Sequence, residues 1–111
     1  MYRVFYHIIR MKNDIPAESA HPMDIADIYS KIFPMLKEDG EFLGIIDDQG
    51  TTLQMLYEAD QDLYWTEVPK PEAGGAYGKA LNFDDAMDII KSLGGPIPKT
   101  GFTNFSFQSW K

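Results

Sequence analysis

The stretch FLGIIDDQGTTLQMLYEADQDLYWTEV, residues 42–68, decides the fold. Three short apolar runs lie in it, Phe42–Ile46, residues 51–58 and residues 63–68, parted by DDQG at residues 47–50 and by an acidic turn at residues 59–61. Short runs separated by such turn formers read as antiparallel strands in a meander. In the middle run Leu53, Met55 and Tyr57 alternate with Thr52, Gln54 and Glu58, which predicts one buried and one partly accessible side, although Leu56 interrupts the polar face.

Working outward, residues 2–11 carry aromatic and β-branched side chains on both faces, the pattern of a central strand covered on two sides. Residues 13–21 offer turn and breaker residues. A helix is predicted over residues 22–39, with Pro22 at its first position, Asp24 and Asp27 near its positive end, and Ile25, Ile28, Tyr29, Ile32 and Leu36 on one face. Pro34 must kink or divide it, and Gly40 stops it. Residues 69–79, with Pro69, Pro71, Gly74, Gly75 and Gly78, read as a loop. Asn82 caps a second helix, with Asp85 at the capping-box position and Phe83, Ala86, Met87, Ile90 and Leu93 as its apolar stripe. Gly94, Gly95 and Pro96 end it, and residues 102–110 alternate as a last strand. The expectation is one α+β domain over residues 1–111, an antiparallel sheet of about five strands with two helices, in the order β-α-β-β-β-α-β.

Composition narrows the function. A net charge of −7 argues against nucleic acid or an anionic membrane as the main ligand, because phosphates repel carboxylates. The absence of cysteine removes disulfides and thiolate chemistry, and the apolar start lacks the pattern of a signal peptide, so a cytoplasmic location is expected. No run approaches the length of a membrane span.

Catalytic and metal signatures fall short. Residues 73–80, AGGAYGKA, miss a phosphate loop because Ala73 stands at the first glycine position and Ala80 follows the lysine. Glu58, Asp60 and Asp62 are spaced like calcium ligands, but Leu63 and Pro69 occupy the positions that need glycine and glutamate. His7 and His21 lack metal-binding spacing. No cofactor and no metal is therefore expected, and a non-enzymatic role. Asn104-Phe105-Ser106 matches a glycosylation acceptor by chance.

From Glu38 to Val68 the chain holds Glu38, Asp39, Glu41, Asp47, Asp48, Glu58, Asp60, Asp62 and Glu67, and no lysine or arginine. Mixed with Tyr57, Tyr64 and Trp65, these carboxylates have the makings of a surface that attracts a basic protein and grips it with aromatic anchors. The bland reading is a set of solvated turns. The candidate partner-binding residues are Asp47, Asp48, Tyr57, Glu58, Asp60, Asp62, Tyr64 and Trp65. With helices on one side of the sheet, alternation sends either Tyr64 or Trp65 to the open side, depending on register.

FLGIIDDQGTTLQMLYEADQDLYWTEVPKP, the glycine loop EAGGAYGKAL, the helix NFDDAMDIIKSL and the ending TGF with SFQSW together resemble small bacterial immunity proteins of polymorphic toxin systems. The resemblance implies a cytoplasmic protein that binds a cognate toxin and blocks its active site. A basic nucleic-acid-attacking toxin would meet the acidic surface in place of phosphate. The rival expectation is a small enzyme or small-molecule-binding domain with a pocket near the glycine-rich loop, which would gather His7 and a carboxylate in one cleft.

Overall fold

The computed structural model describes residues 2–11 and 14–110. The meander forms as its turn residues dictate: β3 (Phe42–Ile46), β4 (Thr52–Glu58) and β5 (Leu63–Lys70) pair antiparallel in sequence order. Around them the sheet has, among the described residues, seven strands rather than about five, in the order β2-β1-β3-β4-β5-β6-β7 and antiparallel throughout. β1 (Tyr2–His7) is shorter than the strand expected over residues 2–11, because a 3-10 turn at Ile9–Met11 ends it. Asn13, where the following turn was expected to begin, lies outside the described residues.

Two strands were missed. β2 (His21–Met23) takes Pro22, expected to start a helix, and places it on the sheet edge, where a missing N–H is tolerated. β6 (Gly75–Leu81) occupies the expected loop and pairs along its length with β5. Its glycines are there for close approach, not for turning. A Cβ at Gly78 would stand 2.5 Å from Trp65 Cζ2, and one at Gly75 would strike the Gln108 backbone carbonyl of β7 (Ser106–Ser109). Gly44 on β3 likewise lies beneath the Phe5 ring.

Helical structure packs on one side of the sheet. α1 (Ile25–Asp27) widens into a π turn at Ile28–Ile32 and tightens into a 3-10 turn at Phe33–Met35, so the predicted helix stops short of Asp39. Pro34 is the cause, since it can neither donate to the turn before it nor fit a regular helix there. α2 (Phe83–Ser92) starts as read, with the Asp85 N–H donating to Asn82 Oδ1 at 2.8 Å. Ile28, Phe33, Leu36, Ala86, Ile90 and Leu93 from these segments meet Val4, Tyr6, Leu43, Ile45, Leu53, Met55, Tyr64 and Val68 in one apolar cluster. No helix among the described residues is long and apolar enough to cross a membrane.

Two buried carboxylates bracket β3. Glu41, fully buried, accepts from the N–H groups of Ile9 (2.8 Å), Lys37 (2.7 Å) and Glu38 (2.8 Å). Asp47, 3% exposed, accepts from Gln49 (2.9 Å), Thr51 (2.8 Å) and Ile97 (2.7 Å). Burial opposes the Glu41 charge, but the three backbone donors and Arg10 outweigh it and hold this carboxyl below the usual 4.5. A carboxyl depressed by folding stabilises the native state fully above its unfolded value and stops doing so as pH falls through its folded value.

Glu41→Gln should therefore lower stability by about 1–3 kcal/mol at neutral pH, and denaturant melts should show the gap to the parent protein closing as pH drops below 4.5. A gap independent of pH would refute the charged clamp. For the glycines, Gly75→Ala should cost about 1–3 kcal/mol and loosen β7 in hydrogen exchange, because backbone cannot give way. Gly78→Ala should cost less and instead change Trp65 fluorescence, because an indole can swing outward. Equal costs at the two sites would contradict this distinction.

Candidate functional site

Directly paired residues of antiparallel strands share a face, so the register settles which side chains look away from the helices. One row runs His7, Phe42, Leu56, Trp65 and Ala80 across β1, β3, β4, β5 and β6. The adjacent row runs Phe5, Gly44, Gln54, Glu67 and Gly78. Phe5 and Phe42 meet edge to face at 6.2 Å, and Phe42 lies 5.8 Å from the His7 ring. Phe42, Leu56, Leu63 and Trp65 are half-buried, shielded by one another and not by an overlying helix. The result is an aromatic and aliphatic stripe on an open sheet face.

The choice between Tyr64 and Trp65 is resolved by this register. Trp65 is on the open face, where its Nε1–H donates to Glu67 Oε1 at 2.7 Å. Tyr64 is buried against Phe33, with ring centroids 4.9 Å apart, and is removed from any surface. Tyr57 pairs with Tyr64 on the helix side and reaches the rim, its hydroxyl donating to Asp62 Oδ1 at 2.7 Å.

The acidic segment divides into two populations. Glu41 and Asp47 are interior clamps, Asp39 accepts from the Ala59 N–H at 2.9 Å, and Asp62 and Glu67 are taken by Tyr57 and Trp65. Asp47, read from sequence as an interface residue, is thus turned inward. The carboxylates of Glu38, Asp48, Glu58 and Asp60 have no hydrogen-bond or ion-pair partner among the described residues. Asp48 sits at the β3–β4 turn and Asp60 at the β4–β5 turn, opposite ends of β4, so the structure does not bring them together. Trp65 and Glu58 share the open face near the latter end, beside the turn that carries Asp60, whereas Tyr57 and its partner Asp62 stand on the helix side of the rim. Phe42 and Leu56 were missed as candidates, and Leu56 was visible as the break in the polar face of β4; Phe5, on the same face, is buried over Gly44.

His7 does meet a carboxylate, with Nδ1 2.8 Å from Asp14 Oδ2, but the pair is exposed and lines neither of the two cavities described here. The cavity that touches the start of the expected glycine loop, at Pro69, Lys70 and Glu72, holds about 210 Å³, below the usual range for ligand pockets. A larger one of about 670 Å³ lies elsewhere, between the β3–β4 turn and the residues after α2. Among the described residues no group of three or more His, Asp or Glu side chains is arranged to hold a metal ion.

The Asp62 hydrogen bond, burial and the nearby charges of Asp62 and Asp39 raise the Tyr57 phenol above its usual 10.0. Burial, followed by Tyr57 and Asp62, pushes Tyr64 up to about 12. A phenol raised by folding stabilises fully below its unfolded value and loses that contribution as pH climbs, here from 10.0 toward about 12 for Tyr64. Asp62→Asn should bring the Tyr57 titration back toward 10.0 in ultraviolet difference spectra while Tyr64 stays late. An unmoved Tyr57 titration would contradict the assigned hydrogen bond.

Comparison with protein-family models, curated proteins and solved structures finds no match to this chain.

Proposed function

We propose that this protein is a binding protein that captures a basic protein partner on the open face of its sheet. In line with the resemblance to immunity proteins, the partner is a toxin, neutralised by covering its active site. The observation that carries the reading is the row of half-buried Phe42, Leu56 and Trp65 that no helix covers, with Glu58 and Glu67 on the same face. Contiguous apolar surface rimmed by polar groups is typical of protein interaction sites.

The two kinds of group have different tasks. Unpaired Glu58 and Asp60, within a chain of net charge −7, draw a basic partner and raise the encounter rate, an effect that salt screens. Desolvation of the aromatic row governs dissociation. Neither task needs a catalytic group.

The test is survival of cells that express the toxic domain encoded beside this chain, with and without the protein, followed by co-purification at low and high salt. Rescue with a stable complex is expected. Trp65→Ala or Phe42→Ala should weaken that complex about 30-fold or more with melting temperature checked alongside, and Glu58→Lys with Asp60→Lys should slow association. Rescue without a complex, or a complex indifferent to all these changes, would remove this reading.

A further inference from the structure

The sequence treats the two edges of the sheet differently. β2, at one edge, is three residues long, and its middle residue is Pro22, which has no N–H to offer a further strand. β7, at the other edge, contains no proline, and residues 100–110 carry no charge of either sign in a chain of net charge −7. Charged residues and proline are the common protection of a strand edge. β7 has neither, and all four of its residues are exposed.

The backbone of β7 alternates in the direction it faces. Gly75 pairs with Ser109, Ala76 with Gln108 and Gly78 with Ser106, and one step beyond this register the Trp110 N–H donates to the Gly74 carbonyl at 2.9 Å. Every second residue of an antiparallel ladder bonds the same neighbour, so Ser106 and Gln108 face β6 as Trp110 does. The N–H and C=O of Phe107 therefore point outward from the sheet. The Phe107 side chain packs edge to face on Tyr77, with ring centroids 5.3 Å apart, and is still 41% exposed.

We infer that β7 is the pairing edge of a homodimer, in which a second copy adds its own β7 antiparallel and the two sheets run on as one. The two-fold axis passes beside Phe107, whose N–H and C=O bond the same groups of the partner's Phe107. Ser106 then stands opposite the partner's Gln108 on the open face, and the symmetry repeats that pair. A second copy fits this edge because the match is self-complementary and neutral, whereas the acidic turns elsewhere on the chain would set like charge against like. Strands this short bury little surface, so the dimer is weak and reversible. β7 lies two strands beyond β5, which leaves Trp65 open to the partner proposed above. The inference needs no toxin and would stand without one.

Sedimentation equilibrium of the whole chain from micromolar to millimolar concentration tests it, with amide exchange read at both ends of that range. A reversible monomer–dimer equilibrium is expected, tightened by salt because screening lowers the repulsion between acidic copies. The Phe107 amide should become protected only at high concentration, while that of Gln108, bonded to β6, changes little. Ser106→Lys with Gln108→Lys sets like charges opposite each other across the axis and should weaken the dimer about threefold or more. Ser106→Lys with Gln108→Glu sets opposite charges there and should tighten it by a similar factor, both variants being compared at high salt so that net charge does not decide. All these changes fall on exposed side chains, and thermal melts check that the fold persists. A chain that stays monomeric up to millimolar concentration, two variants that shift the equilibrium in the same direction, or a dimer disrupted by Trp65→Ala and indifferent to the β7 changes would each overturn the inference.

Discussion

Everything in this molecule is registered to β3, and β3 is fixed by the two carboxylates at its ends. Glu41 gathers the chain leaving β1 and the chain leaving the helical segment at one point, through Ile9, Lys37 and Glu38. Asp47 closes the β3–β4 turn and reaches Ile97, fifty positions further on. Buried backbone N–H groups must find acceptors, and a carboxylate can satisfy several at once where no sheet or helix partner is available. With β3 held at both ends, β1 on one side and β4 on the other have a single register. That register keeps Val4, Leu43 and Leu53 under the helices and leaves Phe42 and Leu56 open.

The sequence was most legible where turn chemistry and alternation agreed. The meander and the Asn82 cap both follow from local patterns, whereas β1 read as covered on two sides and carries helices on one. It was least legible where a residue type had two uses. Gly75 and Gly78 read as loop breakers, but they are strand residues whose missing side chains make room for Gln108 and Trp65, a fact that depends on neighbours far along the chain. Pro22 read as a helix start and is an edge-strand residue. Glu41 and Asp47 read as surface charge. Only the backbone donors converging on them reveal otherwise, and those come from segments that composition cannot bring together.

The site was legible in the same uneven way. Trp65, Glu58 and Asp60 end up at one place, as a charged and aromatic surface requires. Tyr64 is lost to the core because it has the same parity as Met55 and Val68. The open row itself could not be assembled from one strand, since His7, Phe42, Leu56 and Trp65 each come from a different one. Strand register is what turns four isolated apolar residues into a surface.

The division of labour among the carboxylates has an evolutionary consequence. Glu41 and Asp47 are tied to the backbone, so their charge is part of the architecture and is expensive to change. The carboxylates of Glu38, Asp48, Glu58 and Asp60 make no hydrogen bond or ion pair among the described residues, and their sign can be rewritten with little disturbance to folding. A lineage built on this scaffold can therefore repaint its exterior to follow a changing target, while the two interior anions keep the frame on which each new coat is applied.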